Sequence, residues 1–255
     1  MARRISITPV YNEEEVIVRV LTEIRQHVDY MIIVNDGSSD SSKEKILDWK
    51  KNNTGIYFIS SEKNEGCSVA LKRGYALVTH LFETRQLEKD DLIIELDSDG
   101  QHDPAYIAGL FELWEKNTDI DIVLAQRDFS NYPFYKLFGN RGLTFIASLL
   151  AGYRYNDVES NFRVAPAYLF SKLLKYYTGY RYSAAFEIGI IFGHLKLKTD
   201  NNYVVKVPYY RPRSRASDGF HIVATGLYTW LRLKMGIENK NTRSFVEETV
   251  RRLVP

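Results

Sequence analysis

The sequence predicts an α/β fold, one mostly parallel sheet with helices on both faces, built as a single domain. Three observations carry that expectation. Short β-branched runs alternate with segments of helical period through the first half of the chain, as in a parallel sheet covered on both sides. Several runs end directly in polar loops, the places where such sheets bind ligands. The chain has 255 residues, 45% apolar and 26% charged, which suits one globular core and excludes a disordered chain, a collagen and a disulfide scaffold.

Arg4 to Thr8 is the first predicted strand, stopped by Pro9. Glu13, Glu14 and Glu15 place acid at a helix start, and Val16, Val20, Leu21 and Ile24 follow at helical spacing. Tyr30 to Val34 reads as a buried strand running into the dense turn Asn35-Asp36-Gly37-Ser38-Ser39-Asp40. A helix over Ser41 to Lys51 leads to a strand at Ile56 to Ile59. The turn Asn64-Glu65-Gly66 then opens a helix over Val69 to Phe82. Leu92 to Leu96 is the next strand, with the polar loop Asp97 to Pro104 after it, and Asp121 to Ala125 is another. The second half is less regular. It shows helical patterns at Tyr135 to Leu150, Tyr168 to Tyr176 and Ala185 to Leu195, a strand at Tyr203 to Val207, and an amphipathic stretch from His221 to Met235. The expected division is a main domain over 1–219 and a helical tail over 220–255.

Lys and Arg total 34 against 32 Asp and Glu, a net charge of +2, so no global field calls for nucleic acid. The single cysteine, Cys67, allows no intrachain disulfide and fits a reducing compartment. The N-terminus has no secretory pattern. Ile222 to Leu231 is far short of the roughly 20 residues a spanning helix needs. The expectation is a cytoplasmic protein, peripheral to a membrane at most.

Asp97-Ser98-Asp99 is the centre of the functional reading. Two carboxylates flank one small residue just after a buried strand. On a turn both can reach one hard cation, and Mg²⁺ and Mn²⁺ share such ligands with substrate phosphates. A solvated acidic turn is the plainer reading of a lone Asp-x-Asp, and the preceding strand shifts the balance. An EF-hand is excluded, because His102 and Ala108 stand where that loop needs glycine and glutamate. No G-x-G-x-x-G follows the first strand, and neither a P-loop nor H-E-x-x-H occurs. Those absences disfavour a dinucleotide dehydrogenase, a P-loop ATPase and a zinc protease.

Four segments together resemble family 2 glycosyltransferases of the GT-A fold, a Rossmann-like sheet. They are Pro9 to Glu13, Val34 to Asp40, Asn64 to Gly66, and Asp97 to Pro104. The likeness is strongest to polyprenyl-phosphate glycosyltransferases of the dolichol-phosphate mannosyltransferase kind. It implies that Pro9, Tyr11, Glu13 and Asp36, with Val34 and Ser98 in the same segments, hold a GDP- or UDP-linked sugar. It implies that Asp97, Asp99 and Gln101 bind Mg²⁺ or Mn²⁺ against the donor diphosphate. Asn35 stands where the family usually has Asp.

On the acceptor side the resemblance implies that Arg127 and Arg141 grip a lipid phosphate, a task suited to the planar guanidinium fork. Thr144 stands where the family often has serine. Asp157 to Arg163 resembles the segment D-x-x-S-G-F-R, with Asn161 in place of Gly. Asp157 is read as orienting the acceptor or acting as a base, against simple pairing with Arg163. Arg211 and Arg213 sit where the family closes a basic loop over the diphosphate, although its usual ending is not kept. Glu187 aligns with a family glutamate.

The function implied is inverting, metal-dependent transfer of a hexose, mannose or glucose, from a nucleoside diphosphate sugar to a polyprenyl phosphate. One alternative is transfer to a sugar hydroxyl in polysaccharide or glycan assembly. Another is a catalytically silent nucleotide-sugar-binding subunit. The stretch after Phe220 packs on the domain or a second subunit, as in a homodimer, or lies in a bilayer interface.

Overall fold

The computed structural model describes residues 2–180, 183–208 and 216–255, without the side chains of 216–218. The first half alternates strand and helix: β1 Arg4–Val10, α1 Ile17–Arg25, β2 Tyr30–Asn35, α2 Ser42–Lys51, β3 Ile56–Ser60, α3 Cys67–Glu83 and β4 Leu92–Glu95. A short 3-10 turn at Pro104–Tyr106 leads into α4 Ile107–Lys116, and β5 Ile122–Leu124 and β6 Gln126–Arg127 follow. Then come α5 Phe134–Ala151, β7 Arg163–Pro166, α6 Tyr168–Leu174 and α7 Ala184–His194. The chain finishes with β8 Thr199–Asp200, β9 Val204–Val205, α8 Ala216–Lys234, α9 Thr242–Arg251 and β10 Leu253–Val254.

Eight strands form the main sheet in the order β10-β3-β2-β1-β4-β7-β5-β8, and β6 pairs with β9 in a small second sheet. The β3-β2-β1-β4 core is parallel. Alternation along its strands sends Ile5, Ile7, Ile32, Val34 and Ile93 to one face, where Leu71 and Tyr75 of α3 and Phe186 of α7 meet them. Met31, Ile33, Leu92 and Ile94 face the other way, against Val20 and Ile24 of α1 and Phe111 of α4. Burial on both faces is why these strands read as near-continuous apolar runs.

The first strand does not stop at Pro9. Pro9 pairs in register with Val34. Ile7 O accepts the last bond from the β4 side, from Leu96 N, whereas Val10 O accepts from Asp36 N on the β2 side. By alternation the missing N–H of Pro9 faces the β4 side beyond the last β4 partner, where no ladder bond is lost.

Strand β7 lies antiparallel between β4 and β5. It gave no separate signal: Arg163 closes the segment read as a motif, and the three residues after it, ending in Pro166, are too short a run to read as a strand. The expected strand at 203–207 is shorter and pairs with β6 in the small sheet. Residues 220–255 are more than a tail. Helix α8 packs on α7 and α5, α9 packs on α3, and β10 adds to the main sheet beside β3. Buried Arg73 joins this segment to the loop after β3 through Glu65 (2.7 Å) and Glu248 (3.2 Å), and Arg252 adds a 3.0 Å pair to Glu65. Among the described residues no helix is long and apolar enough to cross a membrane.

Candidate active site

Strand order reverses between β1 and β4, and at such a reversal the crevice beyond the carboxyl ends of the strands is the usual ligand position. The loops after β1 and β2 are stitched together over it. Asn12 N donates to Ser38 Oγ (3.0 Å), Glu13 N to Ser42 Oγ (2.8 Å) and Glu14 N to Asp40 Oδ2 (3.1 Å). Asn12 takes a left-handed φ of 55° at this join. Tyr11 stands exposed at the mouth and Glu13 is nearly buried. Pro9 lies under the crevice in β1. The Val34 side chain is sealed in the core, so only its backbone is near the site.

Asp36 is 2% exposed, and its carboxylate accepts from the amides of Glu65 and Gly66, both at 2.8 Å. It thereby ties the loop after β2 to the loop after β3. Burial pushes its pKa up despite these two donors. Gly37, at φ +63°, is the close approach in this join: a Cβ there would sit 2.2 Å from the Lys63 carbonyl carbon. Only glycine meets both demands.

Asp97 and Asp99 follow β4, with buried Ser98 between them. The Asp97 carboxyl is 34% exposed and meets His102 Nδ1 at 3.7 Å and the Asn161 amide at 3.5 Å. Loss of solvation pushes its pKa up. Asp99 is held by Gln101 twice, from the backbone N–H (2.9 Å) and the side-chain amide (2.7 Å). Gln101 therefore acts here as a donor to Asp99. His102 is buried, stacks on Phe162 and accepts the Asp97 N–H through Nδ1 at 3.2 Å. Burial lowers its pKa to about 4, so it is neutral at pH 7 and suited to accept.

The acceptor-side residues are arranged differently from the expectation. Asp157 pairs with Arg127, not with Arg163. Its two oxygens accept from Arg127 Nε (2.7 Å), Nη2 (2.9 Å) and backbone N (3.1 Å). Arg163 goes to Glu95 instead, Nε to Oε2 at 3.1 Å, because the antiparallel register of β7 on β4 sets the two residues opposite each other. Tyr75 donates to the same Glu95 carboxylate at 2.7 Å. Asp157, buried and engaged at both oxygens, holds the Arg127 fork and is not placed as a base. Arg141 is exposed on α5. Thr144 of α5 accepts from Val158 N at 3.3 Å, which anchors the helix to the segment carrying Asp157. Arg211 and Arg213 lie outside the described residues. Glu187 is fully buried and accepts from Thr178 N, Thr178 Oγ1 and Thr229 Oγ1, a cross-link between α7 and α8.

Sequence reasoning missed two groups. Glu159 buries one carboxylate oxygen with no hydrogen-bond partner among the described residues, and burial raises its pKa to about 7, with Arg127, Asp157 and Arg163 the charges that face it. Cys67, the first residue of α3, is the other. It feels Asp97, Asp36 and Asp99, which places it behind the crevice, and burial pushes its thiol pKa up. Neither has a spacing signature.

The donor set at 97–99 fits a hard divalent cation: oxygen ligands only, an under-solvated carboxylate at Asp97 and a second one fixed by Gln101. Among the described residues no cluster of three or more His, Cys, Asp or Glu could hold a metal. Two protein carboxylates alone suit Mg²⁺ or Mn²⁺ shared with substrate phosphates.

A doubly wound sheet with paired acids at its switch point is the arrangement of a GT-A glycosyltransferase. The model of Glycosyl transferase family 2 matches residues 6–182, and the chain belongs to that family. One relative is the UDP-N-acetylglucosamine–dolichyl-phosphate N-acetylglucosaminyltransferase of Methanococcus voltae, 30% identical over 90% of this chain and 95% of its own. The dolichol-phosphate mannosyltransferase of Pyrococcus furiosus is 26% identical over 56% of this chain and 40% of its own. Among solved structures, the glucosyl-3-phosphoglycerate synthase of Mycobacterium tuberculosis, crystallised with Mn²⁺, UDP-glucose and phosphoglyceric acid, superposes with a TM-score of 0.61. It covers 94% of this chain and 82% of its own at 19% identity, a likeness of fold.

Proposed function

We propose that this glycosyltransferase moves a hexosyl or N-acetylhexosaminyl group from a UDP-linked sugar to a polyprenyl phosphate of the dolichyl type. The observation that carries this reading is the Asp97/Asp99 pair at the mouth of the β1/β4 crevice, beside the loop organised by Asp36. The Methanococcus voltae relative, alike over nearly its whole length, supports a UDP-linked donor and a lipid phosphate acceptor.

In this reading Asp97 and Asp99 hold Mg²⁺ or Mn²⁺, which as a Lewis acid neutralises the charge growing on the departing diphosphate. Gln101 orients Asp99, and neutral His102 fixes the backbone at Asp97. Tyr11 and the stitched loops around Asp36 receive the nucleoside. Asp157 presents Arg127 in one orientation, leaving part of its fork for an acceptor phosphate. Such a phosphate has its second pKa at about 6 and is largely dianionic at neutral pH. It needs no base, which agrees with an Asp157 wholly committed to Arg127.

One observation favours the second reading, a sugar hydroxyl as acceptor. The Glu159 carboxyl, with one buried oxygen lacking a partner among the described residues and a pKa raised by burial to about 7, has the properties of a general base. The test is radiolabelled transfer with a polyprenyl phosphate and a panel of sugar acceptors, using wild type and Glu159→Gln. An organic-extractable, acid-labile product made by both proteins within a few-fold supports the phosphate acceptor. A water-soluble product with a loss on the order of 100-fold in Glu159→Gln supports the hydroxyl.

A further inference from the structure

The exposed apolar surface of this molecule is concentrated on two adjoining helices. Among the described residues, nine of the fifteen exposed large apolar side chains lie on α5 and α8, and Met235 and Ile237 follow directly. Their order is that of helix faces. Phe134, Phe138, Phe145 and Leu149 recur along one side of α5, and Phe220, Leu227 and Leu231 along one side of α8. The two helices pack against each other and both pack on α7. Helix α1 shows the ordinary arrangement, with Val20, Leu21 and Ile24 inward and Arg19 and Glu23 pairing outside. Helices α5 and α8 carry apolar side chains on the outer face as well. Gly139 and Gly142 of α5 face open space, with no described residue within 4 Å of where a Cβ would stand. Apolar patches this continuous mark interaction surfaces.

Charge identifies the partner. Helix α5 carries Lys136 and Arg141 and no acid, and residues 219–234 of α8 carry Arg232 and Lys234 and no acid. One-sign basic charge beside an apolar stripe suits an anionic lipid surface. A second copy docked on the same face would set Arg141 against like charge. Helix α5 is also tied to the candidate acceptor site from its inner side, because buried Thr144 accepts from Val158 N, next to the Asp157 that holds Arg127.

We propose that the outer faces of α5 and α8 form a bilayer-docking surface that sets the acceptor side of the crevice at the level of lipid phosphates. This rests on the lipid-phosphate reading above and names its partner as the membrane itself. The apolar side chains enter the interface, and Arg141 and Lys234 meet anionic headgroups.

The test is co-sedimentation of the full chain with vesicles of phosphatidylcholine, with and without phosphatidylglycerol. Wild type is expected on the anionic vesicles and less on the neutral ones. The double variant Phe145→Asp/Leu231→Asp alters only exposed positions and should keep the wild-type melting temperature. Its vesicle affinity should fall by about 100-fold, on the order of tenfold for each apolar side chain withdrawn from the interface. Transfer to a short-chain, water-soluble polyprenyl phosphate should be unchanged. Wild type that ignores vesicles, or a double variant that still binds them, overturns the proposal. So does lost self-association with intact vesicle binding, which would make the face a dimer contact. Lost vesicle binding in a protein that uses no lipid phosphate leaves the docking surface standing and removes the acceptor reading instead.

Discussion

Replacing Glu159 by Gln should make the protein more stable at neutral pH and not at acid pH. Glu159 buries a carboxylate oxygen without a partner among the described residues, and loss of solvation holds its pKa near 7 against 4.5 in an open chain. Below about pH 4.5 the carboxyl is protonated in both states, and its titration contributes nothing. As the pH rises from there to about 7, the unfolded chain ionises first while the folded protein keeps its proton. Stability falls across that window, and the loss is complete above it. The interval from 4.5 to about 7, at about 1.4 kcal/mol per pH unit, sets a ceiling of about 3 kcal/mol, lowered by the partial exposure of the residue. Glu159→Gln removes the titration. Guanidinium unfolding of both proteins at about pH 4.5 and about pH 8 isolates the effect, because the other titrating groups are shared. The stability gained by the substitution should be larger at the higher pH by about 1–3 kcal/mol. An equal difference at both pH values, or a larger one in acid, would refute the reasoning.

Other outcomes follow from the same geometry. Asp157→Ala leaves the largely buried Arg127 without its carboxylate and should destabilise the fold by about 3 kcal/mol; adding Arg127→Met should recover most of that loss in the same unfolding assay. Gly37→Ala forces a Cβ to 2.2 Å from the Lys63 carbonyl carbon at a φ of +63°. It should cost about 2 kcal/mol or more and weaken donor binding measured by calorimetry, since the displaced loop is the one Asp36 holds.

The parallel half of the fold was legible because each of its strands is buried on both faces and ends in a polar loop. Runs such as Met31 to Val34 and Leu92 to Leu96 have only one reading at that length. The loops were legible for the same reason: Asp36 and Asp97 stand where a strand stops and ligands bind. The short pieces were not. Strand β7 is four residues from the last position of a motif to a proline, and β10 is two residues paired through a contact about 200 positions away in sequence. Helix α9 is amphipathic but starts weakly: Asn241 stands at its N-cap without a side-chain cap bond, and no acid follows in its first turn. The ion pairs were hidden in register. Arg163 lies six residues from Asp157, which suggested that pair, yet the antiparallel ladder puts it opposite Glu95 and leaves Asp157 to Arg127. Periodicity says which side of a strand a residue takes; it is silent on which strand stands next to it.

The most direct measurement is a calorimetric titration of UDP into wild type and Asp99→Asn, each with Mn²⁺ and with chelator. In wild type chelation should weaken UDP binding by more than about tenfold, and in Asp99→Asn binding should be weak and indifferent to the metal. Tight UDP binding by wild type that is unaffected by chelation would contradict a shared cation at Asp97 and Asp99.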